Sequence, residues 1–243
     1  MFTVEERDAL RDRVLRLADE DERVVAGAVV GSLALGGGDR YSDLDLTFAV
    51  ADDVPVADVL DDWTRLLVEE QEAVQLFDLG HGPTTYRVFL LPGRLQFDLS
   101  LTPAGSFRPT SPRFRLLFGE TSGDGTAPVP PAAHDLFGWG AVYALHARAC
   151  IERGRLWAAE HYVGAVRDHA LALACLRFAL PAVQGRGYDD LPGDLLARFQ
   201  GAHVGSTDPG ALRSALAASV RELMREGTEA GLPHAATVAE RLA

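Results

Sequence analysis

Val4, Leu10, Val14, Leu15 and Leu17, set among charges, recur at the spacing of one helical face and predict an amphipathic helix over residues 4–18. The rhythm then changes. Residues 23–30 end in a small, continuous apolar run suited to a buried strand; Gly31-Ser32 closes it, and residues 32–36 have the length of one short helical turn. Gly36-Gly37-Gly38-Asp39 follows as a loop. A second strand covers 43–50, and Asp53-Val54-Pro55 opens a helix over 56–70 that turns Val59, Leu60, Trp63, Leu66 and Leu67 inward. Three more strands are predicted at 73–79, 84–91 and 94–101, the last two separated by a tight Pro92-Gly93 turn. Helix, strand, strand, helix and three further strands describe an α+β layer, a mixed sheet with helices covering one face.

The pattern shifts after residue 101. Segments 102–112 and 121–133 are rich in proline and flank a short apolar piece at 114–118. Beyond residue 133 the strand signal stops, and 134–151, 154–180, 193–201, 209–226 and 234–242 all carry helical spacing. The expected organisation is an α+β domain over 1–120, a linker over 121–133 and a helical bundle over 134–243.

Composition narrows the function classes. A length of 243 residues fits one large domain or two small ones, with 47% hydrophobic residues to build cores. No run approaches the eighteen or so apolar residues of a membrane span; the longest, 170–183, is broken by Arg177 and Pro181. Glu5, Glu6, Arg7 and Asp8 are too charged for a signal peptide, and Cys150 and Cys175 lack metal-ligand spacing and read as buried free thiols. The cytoplasm is the expected compartment. The net charge of −12 argues against a protein built to grip a nucleic acid and suits a cationic small molecule. All 23 basic residues are arginine, so any side-chain cation that steadies a phosphate here is a planar, bidentate donor.

The candidate chemistry lies on the strands. Residues two apart on a strand share a face, so Asp43 and Asp45 project together while Leu44, Leu46 and Phe48 point the other way. In the strand over 94–101, Gln96, Asp98 and Ser100 oppose Leu95, Phe97, Leu99 and Leu101 in the same manner. If these strands are neighbours, three carboxylates converge, and such crowding calls for a hard divalent cation such as Mg²⁺. A glycine turn at the end of a strand offers backbone N–H groups to a phosphate, with the Ser32 hydroxyl as a further donor. Taken singly, each acid reads as a turn or surface residue; the joint pattern reads as a phosphoryl- or nucleotidyl-transfer site.

Gly31-Ser32, the spacer, Ser42-Asp43-Leu44-Asp45-Leu46 and Gln96-Phe97-Asp98-Leu99 together resemble the signature of the DNA polymerase β-like nucleotidyltransferase superfamily over residues 20–101. The resemblance implies an NTP held by Gly31 and Ser32, two Mg²⁺ held by Asp43, Asp45 and Asp98, and a nucleotidylated acceptor with pyrophosphate as products. A small catalytic domain followed by a helical bundle further resembles the antibiotic nucleotidyltransferases that act on aminoglycosides and lincosamides. It implies AMP transfer from ATP to a small-molecule hydroxyl, a helical-domain carboxylate as general base, and compatibility with a homodimer. Glu160 is the expected base and Arg167 the expected triphosphate ligand, since Trp157, Glu160, Gly164, Arg167 and Leu171 share one helical stripe. Glu120, Asp78 and Glu152 are rival bases, and Arg113 and Arg115 rival phosphate ligands. An RNA, tRNA or protein acceptor, or a non-catalytic nucleotide-binding protein, are the alternatives. Trp63, Trp139, Trp157 and Phe137 read as core residues.

Overall fold

The computed structural model describes residues 1–125 and 128–242; residues 126 and 127 of the expected linker and residue 243 of the expected bundle lie outside the described residues. The chain divides into two compact units, Met1–Pro128 and Val129–Ala243.

The first unit is an α+β layer. Helix α1 (Val4–Glu20) starts at a reciprocal cap in which Thr3 Oγ1 accepts from the Glu6 amide and Glu6 Oε2 from the Thr3 amide. Strands β1 (Val24–Val30) and β2 (Leu44–Val50) follow, separated by a single 3-10 turn at Gly31–Leu35. Helix α2 (Val56–Gln71) then leads to β3 (Val74–His81), β4 (Thr84–Leu91), β5 (Leu95–Pro103) and β6 (Phe114–Phe118). The six strands form one mixed sheet in the order β3-β4-β5-β2-β1-β6, in which only the central β2–β5 pair is parallel.

Alternation splits this sheet into two chemically different faces. Leu44, Leu46, Phe48 and Val50 of β2 and Leu95, Phe97, Leu99 and Leu101 of β5 join Leu10, Val14 and Leu17 of α1 and Val59, Leu60, Trp63 and Leu67 of α2 in one core. Phe48 meets Trp63 edge-on at 5.2 Å between ring centroids. The opposite face carries Asp45, Thr47 and Ala49 of β2 and Gln96, Asp98, Ser100 and Thr102 of β5. Part of it is sealed by a smaller cluster of Ala26, Ala28, Ala49 and Phe107.

The sixth strand corrects the sequence reading, which counts five strands and leaves 114–118 as an apolar piece between loops. Those five residues are too few to show a period of two. They become a strand because β1 offers an unpaired edge, which they cover in antiparallel register, Val30 opposite Phe114.

The second unit is helical: α3 (Ala133–Glu152), α4 (Leu156–Arg177), α5 (Gly193–Arg198), α6 (Pro209–Glu229) and α7 (Ala235–Leu242). Asp208 caps α6 through the Gly210 and Ala211 amides. Cys150 and Cys175 are buried free thiols within its cores. Phe137 is buried there, as Trp63 is in the first unit, but Trp139 and Trp157 are 56% and 79% exposed, against their reading as core. The inward faces of α3 and α4 are instead filled by small and branched residues, Ala144, Ala147, Ala159, Val163 and Val166. No described helix is long and apolar enough to cross a membrane.

Candidate metal and nucleotide site

The parallel pairing of β2 with β5 sets Asp45 directly opposite Asp98, on the face opposite the one packed against α1 and α2. Asp43 lies one residue before β2. Carboxylate oxygens of Asp43, Asp45 and Asp98 all fall within 4.8 Å of one another, each residue half-buried. That spread matches oxygen ligands around one or two small hard cations, which they bind at about 2.0–2.1 Å when the cation is Mg²⁺. Without a cation the cluster is electrostatically unfavourable. Burial raises the Asp98 carboxyl above its ordinary range, a hydrogen bond from the Gln96 amide partly offsets this, and the Asp43 charge raises it further. Gln96 Nε2 reaches both Asp98 oxygens, at 3.0 and 3.1 Å.

The chain builds this cluster from three directions. Gly31 adopts φ +70°, and a β-carbon there would lie 2.1 Å from Asp45 Oδ2. The missing side chain therefore makes room for the carboxylate as well as for the left-handed backbone. Its N–H donates to the Arg113 carbonyl at 3.1 Å. Arg113 immediately precedes β6, so this bond ties the start of the turn to the entry of that strand. The Ser32 hydroxyl is sealed from solvent and has no hydrogen-bond partner among the described residues. Such an orphaned donor fits a turn shaped for an additional polar group. Arg115 Nε donates to the Ala34 carbonyl at 3.1 Å, so this expected phosphate rival also braces the turn.

The approach to Asp43 is held from below. Arg7, on α1 and only 4% exposed, donates through Nη1 to the carbonyls of Asp39 and Ser42, at 2.6 and 3.2 Å. Asp39 in turn accepts from the Tyr41 amide and the Ser42 hydroxyl. Arg7 and Gln96 are not among the residues the sequence nominated. Gln96 had a signal, the shared strand face with Asp98; Arg7 had none, since an arginine among the charges of an amphipathic helix reads as solvated.

Glu160 and Arg167 lie on α4 of the second unit. Glu160 is half-buried and has no hydrogen-bonding or ionic partner among the described residues. Arg167 donates through Nε and Nη2 to Asp168 Oδ1, at 3.0 and 2.8 Å, while its side chain lies over Gly164. The rival bases separate clearly. Asp78 takes a bidentate pair from Arg87, 2.8 and 2.7 Å, which lowers its pKa and leaves it a poor proton acceptor. Glu152 pairs with Arg213 at 3.1 Å, and Glu120 is exposed.

No family model and no curated protein matches this chain. Among solved structures, 13 chains match. One is an aminoglycoside 6-adenyltransferase from Bacillus subtilis, 11% identical, with 100% of this chain and 99% of that chain covered and a TM-score of 0.41.

Proposed function

We propose that this protein is a divalent-metal-dependent nucleotidyltransferase that moves AMP from ATP to a hydroxyl of a small molecule and releases pyrophosphate. One observation carries the reading: three carboxylates from two paired strands and the loop before them bring oxygens within 4.8 Å of one another. Their companion is a glycine turn whose geometry is matched to one of them, with a sealed, unpartnered hydroxyl beside it.

Asp43, Asp45 and Asp98 would hold Mg²⁺, two ions in this reading. Bound there, the metal supplies charge neutralisation for the triphosphate and for both the attacking and departing oxygens. The remaining work falls to the chain. The turn at Ser32 orients the phosphates, and Arg7 and Gln96 keep the carboxylates in place. The acceptor oxygen forms a bond to the α-phosphorus, and the bond to the bridging oxygen breaks, so that pyrophosphate departs. Glu160, unpaired and half-buried, takes the acceptor proton. Arg167 is a triphosphate ligand in this reading, through Nη1, which its contact with Asp168 does not use. The excess of acids over arginines favours a cationic acceptor, an aminoglycoside first and a lincosamide second. The first unit is the catalytic domain in this reading, and the second binds the acceptor.

The test is incubation with Mg²⁺ and each labelled NTP against aminoglycosides, lincosamides, total tRNA and a protein lysate. Label in an antibiotic supports the proposal. Label in tRNA or protein replaces the acceptor class, and no pyrophosphate with any acceptor overturns the activity.

A further inference from the structure

A groove in the second unit has no place in that chemistry. It is enclosed by α3, α6 and α7 and has a volume of about 680 Å³. Its apolar lining includes Ala144 and Ile151 of α3, Leu216, Val220 and Met224 of α6 and Leu242 of α7. Helices α3 and α6 run antiparallel at close range: Gly140 faces Leu223, Gly227 faces Phe137, and Arg213 reaches Glu152. The groove extends along α6 from Arg213 to Met224, about 16 Å at the helical rise. Its volume is that of a small-molecule site, which lies within roughly 300–1,000 Å³.

The charge of this lining opposes that of the chain. Three arginines, Arg148, Arg213 and Arg221, face one glutamate, Glu152, whereas the whole sequence carries −12. Glu152 is matched by Arg213 at 3.1 Å, where it closes one end of the groove. Arg148 and Arg221 are exposed and have no ionic partner among the described residues. Arg221 lies one turn from both Ala217 and Met224, and Arg148 one turn from both Ala144 and Ile151, so each side chain borders the apolar wall. An apolar trough edged by unpaired guanidinium groups selects for an apolar body ending in an anion, because arginine meets carboxylates in bidentate geometry.

We propose that the α3–α6–α7 groove binds a small amphipathic anion, a hydrophobic carboxylate whose apolar body lies on Leu216, Val220 and Met224 and whose head is held by Arg148 and Arg221. This site lies outside the carboxylate cluster and does not depend on the nucleotidyltransferase reading.

Calorimetric titration of the full chain with dodecanoate, below its micellar concentration, tests it. The expected result is one-to-one binding that weakens by about tenfold in the R148Q/R221Q double variant. Ala217→Trp, which fills the groove from an exposed position, should abolish it, and dodecyltrimethylammonium should fail to compete. Circular dichroism melting confirms that both variants are folded; the exposed arginines make the double variant decisive even if the tryptophan disturbs the bundle. Absence of binding, equal affinity in the double variant or equal binding of the cationic amphiphile overturns the proposal. So does self-association in sedimentation velocity that Ala217→Trp removes, which would make the groove a contact between copies.

Discussion

A negative charge at position 98 is disfavoured by burial and by Asp43, and Gln96 compensates only in part. The folded-state pKa of Asp98 therefore lies above its unfolded value. Its contribution to stability is complete below the ordinary carboxylate range and is lost as the pH rises through the raised value. In chelator, the melting temperature of the parent should fall relative to Asp98→Asn as the pH is taken from that range toward neutrality. Added Mg²⁺ should raise the parent at neutral pH and leave Asp98→Asn unmoved, and turnover should be lost in the variant. A pH-independent difference between the two proteins would remove the electrostatic argument. Gly31→Ala tests the neighbouring contact. The left-handed backbone costs a side chain about 1–2 kcal/mol, and the new methyl would meet Asp45 Oδ2. Lower thermal stability and a lost Mg²⁺ response are expected; an unchanged response would show that Gly31 does not set Asp45. At this scale the sequence was informative because strand alternation is a strict period of two. It assigned Asp45 and Asp98 to one face, and the β2–β5 register set them opposite each other.

Elements supply the bracing that single positions do not reveal. The turn at Gly31–Leu35 is tied to β6 through Arg115 and to the residue before that strand through the Gly31 amide, yet β6 itself was illegible as a strand. Five residues without a clear alternation acquire strand geometry only from the partner edge of β1, a tertiary cause that no local pattern encodes. The exposed Trp139 and Trp157 have a related origin. Helical spacing places a residue on a stripe, but which stripe faces inward depends on the neighbours. Arg7 shows the same limit in reverse, since a charged residue in an amphipathic helix turns inward to bind two loop carbonyls. Arg7→Met keeps the apolar stem and removes those donors. It should lower stability by about 1–3 kcal/mol, the penalty for buried polar groups left unmet. Because the loop it holds delivers Asp43, it should also weaken the Mg²⁺-induced melting shift. Loss of stability with the full Mg²⁺ shift intact would confine Arg7 to a structural part.

At the scale of the whole molecule, the proposed labour is divided between two units, each with its own core. The three carboxylates, Gly31, Ser32, Arg7 and Gln96 all belong to Met1–Pro128, while Glu160 and Arg167 belong to Val129–Ala243. Metal binding should then be a property of the first unit, and transfer a property of the intact chain. In the intact protein, Glu160→Gln should lower kcat by about 10²–10⁴-fold, the usual worth of a positioned general base, with NTP affinity unchanged. A variant as fast as the parent would remove Glu160 from the reaction. Expressed alone, residues 1–128 should show cooperative melting that Mg²⁺ shifts upward, because no element of the carboxylate cluster is missing. Residues 129–243 alone should be helical and indifferent to Mg²⁺. If the first fragment folds and ignores Mg²⁺ while the full chain responds, the metal site needs the second unit, and the assignment of Asp43, Asp45 and Asp98 as a sufficient ligand set fails.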